Sequence, residues 1–282
     1  MAAPEAGALG RVAERSRAFR RMTRSSPPRL PFPSGMGDYR SVQLDFSARE
    51  VTIKLVYYGP ALSGKTSNLV ALHGRAGADA RGRLMTLETQ DDRTLFFDLL
   101  PLTFRAKDGD VSLRIKLFTV PGQPIHSATR RLVLQGADGV ALIADSRVSE
   151  TQHNADAFYD LRKNLKTNGL ELAKMPMVIQ FNTRDLPDVR SEAELEELAA
   201  HGEEPVYLAV ATRGEGVVET LVGLLHLTWH TLDRTHQLSR KLSIDGDTLL
   251  GTAAQQLGVS TPVSDLLARR VGGRRKPLRT VK

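Results

Sequence analysis

Eight residues, Gly59-Pro60-Ala61-Leu62-Ser63-Gly64-Lys65-Thr66, have the types and spacing to cradle phosphate. Gly59 and Gly64 open backbone angles closed to other residues, so successive N–H groups can curl around an anion. The main chain at Leu62, Ser63, Gly64 and Ser67 then meets the positive end of the helix that follows. Lys65 is placed to reach β- and γ-phosphate oxygens, and the Thr66 hydroxyl to hold Mg²⁺. Three later stretches bear on the same ligand. In Thr119-Val120-Pro121-Gly122-Gln123, Gly122 can present its N–H to a γ-phosphate and Gln123 can orient an attacking water. In Asn182-Thr183-Arg184-Asp185, the Asp185 carboxylate can accept from the N1–H and exocyclic amine of guanine. Adenine lacks that donor pair and would leave polar groups unmatched. Asn182 can meet the N7 edge and tie loops together, and the Ala211 N–H can meet guanine O6. Each stretch alone reads as a plain turn; their order along the chain makes the set specific.

The elements around these loops follow from periodicity. Residues 51–58 form a β-branched and aromatic run, read as a buried strand. The helix after the phosphate loop is predicted over 67–73, closed by Gly74. Residues 42–46 alternate as a short edge strand. Residues 96–106 and 111–119 read as two strands joined by Asp108-Gly109-Asp110. Apolar runs at 139–144, 177–181 and 205–209 read as strands buried on both faces. Helices are predicted over 127–135 and 149–168, ending at Gly136 and Gly169. Two more are predicted over 191–200, with a Ser191-x-x-Glu194 start, and over 216–232. Strands alternating with helices predict an α/β fold: a mainly parallel six-stranded sheet with helices on both faces, plus an N-terminal edge strand. Ligands bind such sheets at the C-terminal strand ends, where all four loops fall.

The composition is that of a globular protein, with 41% apolar and 25% charged residues. It contains no cysteine, which excludes a disulfide framework and thiol chemistry. No apolar run approaches the roughly 18 residues of a transmembrane helix, and the N-terminus has no signal-peptide core. A cytoplasmic location is expected. The net charge of +7 resides in the tails. Residues 1–35 carry seven arginines against two glutamates, and residues 262–282 carry seven cations against one aspartate, so the middle is acidic on balance. Such a distribution is not that of a nucleic-acid-binding fold. Residues 1–41 read as a disordered basic extension, 42–233 as the nucleotide domain, and 234–282 as a partly helical extension with a basic tail. Residues 238–267 are open between packing on the domain and forming an appendage. The tails are open between solvated disorder and contact with an anionic membrane.

The set resembles Ras-like small GTPases, and more closely the MglA-type bacterial GTPases of gliding motility and cell polarity. The likeness runs from about 42 to 233. It is carried by residues 54–60, Gly64-Lys65-Thr66, residues 94–98 with Leu100-Pro101-Leu102, residues 119–123 and 136–140, Ala144-Asp145-Ser146, and residues 180–187. The resemblance implies binding of GTP and GDP with Mg²⁺. It also implies an arginine finger at Arg93, a second metal-binding hydroxyl at Thr94, a roadblock-fold (MglB-type) activating partner, and a strand that shifts register between nucleotide states. Two positions depart from the Ras-like pattern. Thr183 stands where a lysine usually follows the asparagine, and Thr119 stands four residues before Gln123 where an aspartate is usual; MglA-type members share the second.

The leading expectation is a GTP-hydrolysing switch whose 75–95 and 119–130 loops respond to the nucleotide. The alternatives are a scaffold that binds nucleotide with little turnover and acts through its extensions, and a binder of membrane or nucleic acid driven by its tails. A P-loop ATPase or kinase is disfavoured by the pairing of Asn182 with Asp185.

Overall fold

The run of β-branched and aromatic residues at 50–58 makes β2 (Glu50–Tyr58) the strand on which the sheet is built, and its burial is unbroken from Val51 to Tyr58. The structure, a computed structural model, describes residues 42–88, 96–106, 110–123 and 126–272. The other strands are β1 (Gln43–Asp45), β3 (Met85–Glu88), β4 (Phe96–Arg105), β5 (Ser112–Thr119), β6 (Gly139–Asp145), β7 (Met177–Asn182) and β8 (Val206–Leu208). Among the described residues they form an eight-stranded sheet in the order β3-β4-β5-β2-β6-β7-β8, with β1 added on β2. Strands β5, β2, β6, β7 and β8 run parallel. The β1–β2, β3–β4 and β4–β5 pairs are antiparallel.

The helices are α1 (Lys65–Arg75), α2 (Ser127–Leu134), α3 (Thr151–Thr167), α4 (Glu192–His201), α5 (Val217–His236), α6 (Leu238–Leu242), α7 (Gly246–Gln256) and α8 (Val263–Ala268). They cover both faces of the sheet. Val51, Ile53, Leu55 and Tyr57 of β2 share one core with Leu69 of α1, Leu224 of α5 and Leu250 of α7. Tyr58 points the other way, and its hydroxyl donates to Asp160 of α3. The expected mainly parallel α/β sheet with an added N-terminal strand is present.

Three local features, in β3, α1 and α5, differ from the sequence reading. Strand β3 is additional: four residues are too few for alternation to register, and they form a strand only because β4 offers its edge, Met85 opposite Leu99 through Glu88 opposite Phe96. Strand β1 is the expected edge strand, with β2 as its one partner among the described residues. It pairs with Glu50–Thr52 on the side of β2 that β6 occupies from Leu55 onward. Asp138 staples that junction by accepting from Val42 N–H at 3.1 Å and Lys54 N–H at 2.8 Å. Helix α1 continues through Gly74, because a solvated helical glycine costs only about 1 kcal/mol and does not stop a helix. Helix α5 extends past residue 232 to His236, where Gln237 takes a left-handed conformation. Helix α4 begins as expected, with Ser191 and Glu194 forming a reciprocal capping box.

Residues 238–267 pack on the sheet domain. Leu238, Leu242, Leu249, Leu250, Leu257 and Leu266 are buried in the same core as β2. Polar ties accompany the packing: Gly77 N–H donates to Gln256 O at 3.1 Å, and Gln256 Nε2 donates to Arg105 O at 2.9 Å. Among the described residues no helix is long and apolar enough to cross a membrane.

Candidate functional site

The phosphate loop joins the C-terminal end of β2 to α1. Gly64 caps α1 in a left-handed conformation, φ 86°, and contributes no capping side chain; the first turn holds no acidic residue. The first turn itself therefore adds no carboxylate to compete for the positive helix end. A Cβ on Gly64 would stand 2.0 Å from Asn182 Nδ2. A Cβ on Gly122 would stand 2.3 Å from Ala61 N. Both glycines are required because two loops meet at each of them. Ser63 is buried, and its hydroxyl finds no partner among the described residues. Leu62 is 90% exposed, with φ 61°.

Lys65 Nζ donates to Gly59 O at 3.1 Å and Pro60 O at 2.5 Å. Burial, reinforced by the nearby Arg130 charge, pushes its pKa down to about 8. An amine so poorly solvated gains by meeting an anion. The Thr66 hydroxyl donates to Asp98 Oδ2 at 2.7 Å. Asp98 lies on β4, is 4% exposed, and also accepts from Thr86 Oγ1 at 2.8 Å and Thr119 Oγ1 at 2.9 Å. Three hydroxyls thus converge on one buried carboxylate beside the helix N-terminus. This oxygen-rich group fits Mg²⁺, which binds proteins through one or two oxygens and takes the rest from phosphate and water.

The Gly122-Gln123 turn lies against Pro60-Ala61. Arg130 anchors it from beneath, donating Nη1 to Gln123 O at 2.5 Å while its Nε pairs with Asp160 at 2.7 Å. The Gln123 residue is exposed. At the other wall, Asn182 is buried and ties three loops. Its Nδ2 donates to Ser63 O at 2.9 Å, its Oδ1 accepts from Ala211 N–H at 2.9 Å, and its carbonyl accepts from Ser146 N–H at 3.0 Å. A base edge at Ala211 would share or displace that N–H bond. Behind the loops, Asn68 of α1 and Gln180 of β7 exchange amide bonds at 2.8 and 2.9 Å, and Gln180 Nε2 donates to Thr220 of α5 at 2.8 Å. This buried network fixes α1 to the sheet.

No family model matches the chain. It is similar to the mutual gliding-motility protein MglA of Myxococcus xanthus, with 43% identity over 184 residues, 65% of this chain and 94% of the relative. The chain belongs to the MglA family of Ras-like small GTPases. Guanine-nucleotide binding follows from that membership at the level of the family.

Against the family pattern, both departures have a structural counterpart. Thr183 takes φ 62°, and its hydroxyl donates to Asp145 Oδ1 at 2.9 Å. It therefore secures the 182–185 turn to β6 instead of reaching outward. Burial pushes the Asp145 carboxyl up, but bonds from Arg147 and Thr183 outweigh it and hold the carboxyl below its ordinary range. Thr119 carries no charge, yet Asp98 of the adjacent strand places a carboxylate at its hydroxyl. Asp98 escaped the site reading, although an ionisable residue between Phe96-Phe97 and Leu99-Leu100 in a buried strand was a visible signal. Asp185 sits in the turn after β7, 3.4 Å from Arg213. The structure thus brings together Gly59, the run from Leu62 to Ser67, Gly122, Asn182 and Ala211, with Gln123 and Asp185 on the flanking turns. Arg93 and Thr94 lie outside the described residues.

Proposed function

We propose that the chain is a GTP-hydrolysing molecular switch, acting in motility, as the name of its relative suggests, or in cell polarity. The observation that carries this reading is the convergence, through Asn182, of the phosphate loop and the Ala211 turn, with Asp185 in the same loop. In this reading the N–H groups of the phosphate loop and Lys65 bind the β- and γ-phosphates, and Asp185 selects guanine. Thr66 and Thr94 hold Mg²⁺, with Asp98 orienting Thr66. When bound, the ion neutralises charge on the phosphate oxygens. Gln123 positions the attacking water, Gly122 faces the γ-phosphate, and Arg93 offsets charge on the transferring group.

The nucleotide domain spans 42–233, and the 234–282 extension supports it through α6–α8. The chain works on the cytoplasmic side, with a roadblock-fold partner accelerating turnover and the basic tails touching anionic lipid. Titration with fluorescent GTP, GDP and ATP, with and without Mg²⁺, followed by single-turnover phosphate release, tests the proposal. Guanine nucleotides bind in preference to ATP, and Arg93→Ala or Gln123→Leu slows hydrolysis by on the order of 100-fold or more. Wild-type rates in both variants would overturn the two assignments. Tight binding with no turnover, even with a roadblock-type partner, would favour the scaffold.

A further inference from the structure

Donors from β2, α2 and α3 converge on a single carboxylate oxygen of α3. Asp160 Oδ2 accepts from the Tyr58 hydroxyl, from Arg130 Nε at 2.7 Å, and from Asn164 Nδ2 at 3.0 Å. Asn164 Nδ2 also donates to the Tyr58 hydroxyl at 3.1 Å. Two of these donors lead to the two loops that must face each other for hydrolysis. Tyr58 immediately precedes Gly59, the first residue of the phosphate loop. Arg130 turns another limb of its guanidinium to the Gln123 carbonyl, Nη1 to O at 2.5 Å. A guanidinium is planar and rigid, so the two bonds fix that carbonyl and the Asp160 carboxylate relative to each other. The Arg130 side chain is 7% exposed and that of Asp160 28%. A cation so buried needs its counter-charge, and removal of the carboxylate draws it toward water or another anion and away from the turn. After burial, the Arg130 charge is the next cause of the depressed Lys65 pKa. The cluster therefore reaches the phosphate loop electrostatically as well as through Tyr58.

We infer that Asp160 is a positioning residue for GTP hydrolysis, holding the Gln123 turn through Arg130 and the root of the phosphate loop through Tyr58 at a fixed mutual distance. The inference rests on the assignment of Gln123 to the attacking water in the reading above. It goes beyond that reading because Asp160 lies on a helix that lends the proposed site no residue. Its effect falls on rate and not on affinity. The N–H groups of the phosphate loop and Lys65 bind nucleotide however Gln123 is aimed. Misplacing a water-orienting group by about 1 Å, in contrast, can cost about 100-fold in rate.

The experiment is single-turnover hydrolysis of GTP by the full chain, beside calorimetric titration with GDP. The proteins are the unaltered chain, Asp160→Asn, Arg130→Lys, Gln123→Leu, and each of the first two variants combined with Gln123→Leu. Asp160→Asn keeps the shape and removes the charge. It slows hydrolysis about ten- to hundredfold, while GDP affinity stays within about threefold. In the Gln123→Leu background it has no further effect, because the group it aims is gone. A merely structural residue adds its loss in both backgrounds. Arg130→Lys keeps the charge without the fork, so it cannot bond Asp160 and the Gln123 carbonyl together. It slows hydrolysis over the same range, and carries the same test if Asp160→Asn does not fold. A wild-type rate in folded Asp160→Asn overturns this inference alone. So does a loss of equal size with and without Gln123, or an equal loss of GDP affinity, either of which makes Asp160 a structural support. A wild-type rate in Gln123→Leu overturns the assignment of that residue and this inference with it. Absence of hydrolysis by the unaltered chain overturns the hydrolysing-switch reading, and the inference falls with it.

Discussion

Lys65 and Asp98 show how a single buried charge shapes the site. Burial has moved the Lys65 amine from its ordinary 10.5 to about 8, and a bound polyphosphate would raise it again. Binding then takes up a proton above pH 8 and none below it. GDP affinity is therefore expected to hold between pH 7 and 8 and to fall above 8, by at most about tenfold per unit; calorimetry in buffers of different ionisation enthalpy reads both the slope and the proton. Lys65→Ala removes charge-assisted bonds worth about 1.5–3 kcal/mol, so GDP should bind roughly ten- to 150-fold more weakly in the same assay. Asp98→Asn keeps the shape and loses the charge beside Thr66. The Mg²⁺ concentration needed to slow GDP release should rise about 10- to 100-fold, as measured by stopped-flow displacement. Lys65 was plain from its spacing after two glycines. Asp98 was not, because what brings it to Thr66 and Thr119 is the register of β4 on β5, and no local pattern encodes register.

At the scale of elements, the helix after the phosphate loop is held by a polar network behind the loops. Gln180 is fully buried and pairs with both Asn68 and Thr220. Gln180→Leu would leave the Asn68 Oδ1 without its donor, at about 1–3 kcal/mol, while Asn68 Nδ2 keeps its bond to Gly64 O. Melting followed by circular dichroism should show a fall of roughly 2–4 °C per kcal/mol for a domain of this size, together with weaker nucleotide binding as α1 loosens. The strands and most helix ends were legible because burial imposes a period and caps impose residue types: Gly136 and Gly169 both take positive φ after a helix, and Ser191 caps α4. Gly74 misled because it occupies a solvated helical position where glycine is tolerated. Strand β3 could not be read from four residues whose conformation is set by the edge they lie on.

The whole molecule joins a familiar nucleotide fold to a C-terminal arm that has become part of its core. Leu250 of α7 is 1% exposed in the same cluster as Leu55 and Ile115. Leu250→Ala is expected to cost about 2–5 kcal/mol and to lower one cooperative melting transition. A separate, low-temperature unfolding of the arm by differential scanning calorimetry would contradict that union.

The sequence alone determined the ligand chemistry and the class of fold. Glycine, lysine, threonine and the aspartate proposed to read guanine are marked by residue type and short spacing, and buried strands alternate with amphipathic helices. Tertiary structure alone decided which groups from distant positions share a site. It set Asp98 beside Thr66 and Thr119, Arg213 beside Asp185, and α6–α8 against the sheet. These pairings arise from packing between elements far apart in the chain, and side-chain contacts across that distance leave no periodic mark in the sequence.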